Sequence, residues 1–330
     1  MQKLLTSFTI VLLSLTSYGQ FGFEKIDSIP VEKNGQILSH PWSGGISHGQ
    51  FSNFDANFDG IPDLFVFDRA DDRISVYIRN NTVGDVNFTY VDSLSDYFPQ
   101  DLTDWVLLRD YNCDGKMDIF ASRPGGIKIY RNDSQNGVLH FTKVIDRLNC
   151  SYYTPGDYSS NVYALSGDIP GIEDIDGDGD LDVLSFENNR NTVSYFKNYS
   201  MEKHGVCDSL IEVFELRNEC WGKFSESNSS NAITLNSNDW YCQNSTVSNP
   251  ELPENNATTK KFKHDGSTIL PIDIDNSGVY DLVIGDVSFN NLILLTNGGS
   301  SPNTNSAMVS MDNNFPSNTT PVDLYVFPAA

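Results

Sequence analysis

One short motif occurs four times in this chain, and it constrains the fold more than any other feature. The four copies, called loops 1 to 4 here, read DANFDGIPD, DYNCDGKMD, DIDGDGDLD and DIDNSGVYD, and they occupy residues 55–63, 110–118, 174–182 and 273–281. All four fit the pattern D-x-[DN]-x-[DS]-G-x-x-D. Even in an Asp-rich chain, composition alone does not explain four such matches. A pattern that returns along a chain is typical of a fold built from repeated units.

Short apolar runs flank every copy of the motif. Each loop is followed by LFVF, IFAS, VLSF or LVIG, and then by a second run, ISVYIRN, GIKIYRN, TVSYFKN or NLILLTN. Another apolar run precedes each loop, and a further one closes the first two units. The runs are short, rich in β-branched and aromatic residues and bounded by turn residues, which is typical of strands. Each unit is therefore expected to have four strands, with its loop between the first two.

Repeated units of about four strands predict an all-β fold, namely a β-propeller in which each unit is one blade. The chain has 330 residues, of which 39% are hydrophobic, so it can bury a large core. The interval between loops 3 and 4 is longer than the others. We therefore expect an insertion at about residues 199–265, which carries Cys207, Cys220 and Cys242.

The loops offer oxygen ligands in a spacing that suits calcium, which takes six to eight oxygens. Side chains at positions 1, 3, 5 and 9 converge when the chain coils tightly, the glycine at position 6 permits the turn, and position 7 offers a backbone carbonyl. The predicted ligands are, in loop order, Asp55, Asn57, Asp59, Ile61 and Asp63; Asp110, Asn112, Asp114, Lys116 and Asp118; Asp174, Asp176, Asp178, Asp180 and Asp182; Asp273, Asp275, Ser277, Val279 and Asp281.

Electrostatic repulsion within each loop also favours a bound cation. At an effective dielectric constant near 20, two carboxylates about 5 Å apart repel each other by about 3 kcal/mol. We therefore expect about four Ca²⁺ sites whose occupation is coupled to folding. Magnesium fits less well, because it keeps its waters and demands octahedral geometry. The alternative is that the loops are plain Asp- and Gly-rich surface turns.

The loops differ from EF-hands, which need a glutamate at position 12 and a helix on each side. Here position 12 is Val66, Ala121, Ser185 or Ile284, and the flanking segments are predicted strands.

The N-terminus predicts export. Residues 1–19 hold Lys3, an apolar run at 4–15 and the small residues Ser17 and Gly19, as a cleaved signal peptide does. A membrane anchor is the alternative, but the run is short for a span. The remaining 20–330 is expected to be secreted or at the cell surface, without membrane insertion. A net charge of −23 argues against nucleic acid as a partner.

Five cysteines, none in a Cys-x-x-Cys pair, predict disulfides in an exported chain. The odd number leaves one cysteine without a partner in this chain. A bridge among Cys207, Cys220 and Cys242 is expected, and Cys150 is one candidate partner for Cys113. The spacing does not determine the connectivity.

On these motifs the chain resembles the FG-GAP/VCBS repeat family, whose calcium-loop propeller repeats also form the heads of integrin α-subunits. The resemblance covers about residues 50–330 and is strongest to VCBS-repeat proteins secreted by Bacteroidota, many of which carry a sorting domain for type IX secretion. It implies a calcium-binding propeller. Because such propellers usually have about seven blades and this chain offers four loops and no sorting domain, we expect an incomplete ring.

Two functions fit these observations. The first is a binding, adhesion or scaffold module for an extracellular protein or glycan. The second is a calcium-dependent polysaccharide-active enzyme, similar to lyases that adopt calcium-containing propellers. The chain has no H-E-x-x-H, G-x-S-x-G or P-loop motif, and no catalytic constellation emerges, so we expect no enzyme. Trp221 and Trp240 are candidates for stacking on sugars, whereas Trp105 is expected in the core.

Overall fold

The structure, a computed structural model, describes most of the chain between residues 29 and 324. It leaves out residues 39, 81–86, 153, 155, 188–189, 209, 228–229 and 244–266 within that range. The predicted signal peptide therefore lies outside the described residues. Within the described part, no helix is long and apolar enough to cross a membrane.

The chain divides into a short N-terminal unit, residues 1–42, and a large unit, residues 43–330. In the described part of the N-terminal unit, β1 (Glu32–Lys33) pairs with β2 (Gln36–Ile37) as a small antiparallel hairpin.

In the described part of the large unit, four sheets of antiparallel blade strands form the blades of a β-propeller. Blade 1 consists of β3 (Gly49–Phe54), β4 (Asp63–Asp68), β5 (Arg73–Arg79) and β6 (Phe88–Tyr90), paired in chain order. A 3-10 helix, Asp92–Tyr97, leads out of this blade.

Blade 2 repeats the same antiparallel order. It consists of β7 (Val106–Arg109), β8 (Asp118–Arg123), β9 (Gly126–Asn132) and β10 (Phe141–Ile145). As in blade 1, the Asp-rich loop connects the first strand to the second.

Blade 3 is the widest sheet. A two-stranded hairpin, β11 (Asn149–Ser151) and β12 (Ser160–Asn161), extends it. The blade itself consists of β13 (Gly171–Glu173), β14 (Asp182–Phe186), β15 (Val193–Lys197) and β16 (Phe214–Asn218), and β11 runs parallel to β16 at its outer edge.

The segment between blades 3 and 4 includes the expected insertion at about residues 199–265, whose early part contributes β16 to blade 3. Its described part also contains short elements, namely helix α1 (Ser200–His204), a 3-10 helix (Trp221–Lys223), β17 (Phe224–Glu226), β18 (Ile233–Leu235) and helix α2 (Trp240–Gln243).

Blade 4 consists of β19 (Ser267–Ile272), β20 (Asp281–Asp286), β21 (Leu292–Asn297) and β22 (Met308–Phe315). The predicted all-β fold, with four-stranded blades and a loop between the first two strands of each, is confirmed. That the blades belong to an incomplete ring stays a prediction.

Side chains of alternating direction join neighbouring blades. In β8, Ile119 and Ala121 belong to the apolar cluster shared with blade 1, whereas Phe120 belongs to the cluster shared with blade 3. In β14, Val183 packs toward blade 2 and Leu184 toward blade 4. This alternation follows from the two-residue period of a strand. Among the described residues, three such clusters connect blade 1 to 2, 2 to 3 and 3 to 4.

The tryptophans separate into core and surface. Trp105 is fully buried, which confirms the prediction for it. Trp221, a candidate for sugar stacking, is only 5% exposed and packs in the cluster between blades 3 and 4, so little of its ring is available to a sugar. Trp240 is half-buried at the start of α2.

The disulfides correct one expectation. The candidate pair Cys113–Cys150 is wrong, because Cys113 bonds to Cys207 and Cys150 is a buried free thiol. Spacing could not reveal this, since Cys113 and Cys207 are 94 residues apart and lie on neighbouring blades. The expected bridge within the 207–242 group is confirmed as Cys220–Cys242.

Candidate metal sites in the blade loops

The first aspartate organises the coil of every loop. In loop 1, Asp55 Oδ1 accepts the backbone N–H of Asp59 at 3.1 Å, and Oδ2 accepts that of Gly60 at 2.8 Å. The same two bonds, at 2.8–3.2 Å, recur at Asp110, Asp174 and Asp273. An aspartate that bonds its own downstream backbone in this way stabilises a turn. The coil that gathers the predicted ligands is thus held by hydrogen bonds of the chain itself.

Two positions of each loop adopt left-handed backbone conformations. At position 6, φ is +82°, +82°, +103° and +83° in loops 1 to 4, which explains the glycine there. Position 4 is also left-handed, and it is occupied by Phe58, Cys113, Gly177 and Asn276. The motif does not specify position 4, so the sequence contained no signal for this second special residue.

The last aspartate of each loop is fully buried and has a structural task besides its predicted role as a ligand. Asp118 Oδ2 accepts the N–H of Tyr111 at 3.1 Å, and Oδ1 accepts the N–H of Asn132 at 2.7 Å. Asp63, Asp182 and Asp281 make equivalent pairs of bonds, one to position 2 of the loop and one to the end of the third strand. Since each carboxylate oxygen has two lone pairs, these bonds leave room for a cation.

An asparagine at the end of the third strand completes this arrangement in blades 2 to 4. Asn132 Nδ2 donates to the carbonyl of Met117 at 3.0 Å, next to Asp118. Asn198 and Asn297 make the same bond to the carbonyl at position 8 of their loops. The signal for them was visible, because all four third-strand runs end in asparagine, but its meaning required knowledge of the strand pairing.

Burial raises the pKa of several of these carboxyl groups. Desolvation raises the pKa of Asp118 to about 7, against the lowering effect of its two backbone hydrogen bonds, and Asp114 and Asp110 raise it further. Desolvation likewise raises the pKa of Asp180 to about 6 and that of Asp182 well above its ordinary value. A nearby divalent cation would counter this by stabilising the charged forms.

The carboxylates at positions 1, 3 and 9 converge in loops 3 and 4. In loop 3, Asp174, Asp176 and Asp182 each place one oxygen within 4.8 Å of the others, and in loop 4 Asp273, Asp275 and Asp281 do the same. In loops 1 and 2, position 3 is an asparagine, so the same three positions offer two carboxylates and one amide.

The residues at position 5 turn back onto their own loops. Asp59 Oδ1 accepts the N–H of Ile61 at 2.8 Å, and Asp114 and Asp178 bond position 7 in the same way. In loop 4, the Ser277 hydroxyl donates to the carbonyl of Val279 at 3.4 Å.

Loop 3 contains a feature that no sequence pattern indicates. Lys197, at the end of β15, extends its ammonium into the loop, where it contacts Asp176, Asp178 at 3.2 Å and Glu202 of α1 at 2.5 Å. Burial would lower the pKa of Lys197, but its hydrogen bonds to Asp176 and Glu202 raise it above its ordinary value.

The donor set fits a hard divalent cation, since it consists of carboxylate, amide, hydroxyl and carbonyl oxygens. Two buried oxygens of loop 3, Asp176 Oδ1 and Asp180 Oδ1, have no hydrogen-bond partner within the described part of the chain. An orphaned buried carboxylate oxygen is costly unless a cation or water satisfies it. The residues present therefore fit a bound metal ion.

Cavities open beside the loops. Loops 1 and 2 line a cavity of about 340 Å³ that includes Asp55, Gly60 and Gly115. A second cavity, of about 350 Å³, lies beside loop 3 and is lined by residues that include Asp176 and Lys197. Both make loop atoms accessible from solvent.

No family model and no curated protein matches the sequence. Among solved structures, one similar chain is a lectin of Agrocybe aegerita, whose structure describes specific recognition of non-reducing terminal N-acetylglucosamine. The sequences are 16% identical, the match covers 82% of this chain and 67% of the lectin, and the TM-score is 0.37. A likeness of this degree carries no argument about function.

Proposed function

We propose that this protein is an extracellular, calcium-binding β-propeller of the FG-GAP/VCBS kind that acts as a binding, adhesion or scaffold module. The observation that carries the proposal is the repeated geometry of the loops. Four loops at the same place in four blades share one coil, one buried final aspartate and one pattern of backbone bonds. A motif that occurs once in each of the four blades, with oxygen ligands gathered in one loop, favours one structural ion in each blade.

Calcium is the ion we propose, because its flexible coordination accepts mixed carboxylate, amide, hydroxyl and carbonyl ligands. When bound, it supplies a charge that offsets the repulsion among the carboxylates. The final aspartate of each loop connects the loop to the third strand, so an ion on that aspartate would stiffen this end of the blade.

An extracellular setting is supported by the two disulfides, which persist in oxidising compartments. In such a setting calcium is abundant and the stiffened loops can present a surface to an extracellular protein or a glycan. The export signal and a route such as type IX secretion belong to this proposal.

Calcium titration by calorimetry tests the metal assignment. We expect binding to the purified chain that excess Mg²⁺ does not abolish, and we expect the amount of bound calcium to fall in Asp273→Asn. Asp71→Asn is the matched control, because Asp71 is an exposed partner of Arg73 outside the loops and its removal leaves calcium binding unchanged. A chain that binds no calcium would overturn the proposal.

The module assignment has a separate test. Glycan arrays and pull-down from extracellular material should detect a ligand, whereas incubation with polysaccharides should yield no shortened products. Depolymerisation that requires calcium would favour the enzyme instead.

A further inference from the structure

Loop 3 carries more negative charge than the other loops. It has five carboxylates, at positions 1, 3, 5, 7 and 9, whereas each of the other loops has three. Glu202 of α1 adds a sixth, because its carboxylate lies within 4.8 Å of oxygens from Asp176 and Asp178. This surplus of negative charge is where the structure places Lys197.

The ammonium of Lys197 is held as a cation in a cage of oxygens. Its side chain is only 8% exposed, and it pairs with three carboxylates, two of which are predicted calcium ligands at positions 3 and 5. Lys197 also lies 5.2 Å from the centre of the Tyr199 ring, which offers a further favourable contact to a cation. An ion that used the same oxygens of Asp176 and Asp178 would have to displace this ammonium.

The equivalent residues of the other blades do not enter their loops. Each precedes the residue whose backbone N–H bonds the final aspartate of its loop. In blade 2 this residue is Arg131, which is exposed and pairs with Asp133, outside loop 2, at 2.7 Å. In blade 4 it is the uncharged Thr296. In blade 1 it is the apolar Ile78, because Tyr77 pairs with Leu64 as Tyr130 pairs with Ile119 in blade 2. Blade 3 therefore differs from its neighbours in this one contact.

We propose that Lys197 is a tethered cation that competes with Ca²⁺ for the carboxylates of loop 3. The ammonium lowers the calcium affinity of this loop and keeps it folded when the ion is absent. Loop 3 thus differs from loops 1, 2 and 4 in its response to calcium. This inference rests on the proposed function, in which the loops bind calcium. The cavity beside Asp176 and Lys197 gives an ion a path to the site and gives the lysine room to leave it.

The experiment is calcium titration of the full chain and of Lys197→Met, with thermal unfolding of both in chelator. We expect the affinity of one class of site to rise at least tenfold in Lys197→Met, while the midpoint in chelator falls. When Asp174→Asn is added to Lys197→Met, the sites of raised calcium affinity should be lost. When Asp273→Asn is added instead, those sites should remain. Lys197→Gln is a second neutral variant, which removes the charge but keeps a polar side chain.

Arg131→Met is the matched control, because it removes a cation from the equivalent place in blade 2 without touching a loop carboxylate. It should leave all calcium affinities unchanged. Equal affinities in the wild type and both neutral variants would overturn the competition while leaving the proposed function intact. If neither wild type nor variant binds calcium, the proposed function falls and this inference falls with it.

Discussion

Asp118 and Asn132 form a reciprocal pair that ties the second strand of blade 2 to its third. Asp118 Oδ1 accepts the backbone N–H of Asn132 at 2.7 Å, while Asn132 Nδ2 donates to the carbonyl of Met117 at 3.0 Å. Blades 3 and 4 repeat the pair. The final aspartate of a loop therefore supports the blade even before any ion binds.

Replacing Asp118 should destabilise the protein in the absence of calcium. Asp118→Ala leaves two buried backbone N–H groups, those of Tyr111 and Asn132, without their acceptors. Each lost acceptor costs about 1–3 kcal/mol, so we expect the free energy of unfolding to fall by about 2–6 kcal/mol. Urea unfolding in chelator measures it.

Asp114→Ala is the control for this prediction, because Asp114 is more exposed and its contacts are with the backbone N–H and the ammonium of Lys116 at the loop surface. Its effect in chelator should be much smaller. Unchanged stability of Asp118→Ala in chelator would show that the buried pair contributes nothing.

The fold was predictable from local signals, whereas the detail of the loops was not. The alternation of Ile119, Phe120 and Ala121 between two clusters is a two-residue period that any strand displays. The contact between Lys197 and Asp176 joins residues 21 positions apart, and it depends on the strand pairing of blade 3 and on the placement of α1. The burial of Trp221 likewise depends on how blades 3 and 4 pack, which no local pattern encodes.

The glycine at loop position 6 should matter for its backbone and not for its size. Gly60 has φ of +82°, and a Cβ added there would meet no atom within 4 Å. Gly60→Ala should therefore lower the free energy of unfolding only because alanine disfavours a left-handed backbone, by about 1–2 kcal/mol. Gly60→Asn should cost less, because asparagine tolerates this conformation.

Gly45→Ala, in the segment just before blade 1, is the control, since a Cβ there also meets no atom and φ is not left-handed. Chemical unfolding of the three variants in chelator compares them. Equal stability of Gly60→Ala and Gly45→Ala would contradict the backbone explanation.

A buried glutamate outside the loops should make stability fall with pH. Glu226 is 4% exposed and its Oε2 accepts the Ser267 hydroxyl at 3.0 Å. Burial, with Asp286 and Asp168 nearby, raises its pKa from 4.5 to about 8. Between about pH 4.5 and pH 8 the carboxyl group is therefore protonated more in the folded state than in the unfolded state. Because of this difference, the free energy of unfolding falls as the pH rises from about 4.5 to about 8.

Glu226→Gln keeps an acceptor for Ser267 and removes the charge. We expect the variant to be more stable than the wild type by on the order of 1–3 kcal/mol above about pH 8. Between about pH 4.5 and pH 8, its free energy of unfolding should depend less on pH than that of the wild type. Urea unfolding in chelator across this pH range measures the effect. The exposed Glu212→Gln is the control, and identical pH profiles for Glu226→Gln and the wild type would contradict the assignment.

The two disulfides should stabilise the chain unequally. In the chain-entropy description, closing a loop of about 100 residues contributes about 4.7 kcal/mol and closing a loop of 15 residues about 3 kcal/mol. Cys113–Cys207 spans 94 residues and Cys220–Cys242 spans 22. Removing the first pair with serines should therefore lower the unfolding midpoint more than removing the second.

A peptide map under non-reducing conditions checks the connectivity that this comparison assumes. It should recover both bridges, and alkylation should label Cys150 only after unfolding, because that thiol is buried. Recovery of a Cys113–Cys150 peptide would refute the pairing.

Thermal unfolding of the purified chain in calcium, in magnesium and in chelator tests the central claim most directly. A site filled at one hundred times its dissociation constant adds about 2.7 kcal/mol of stability, so several filled loops should raise the midpoint by many degrees. We predict that rise in calcium and little change in magnesium. A midpoint that is the same in calcium and in chelator would mean that the four loops are plain turns and that calcium has no structural role in the propeller.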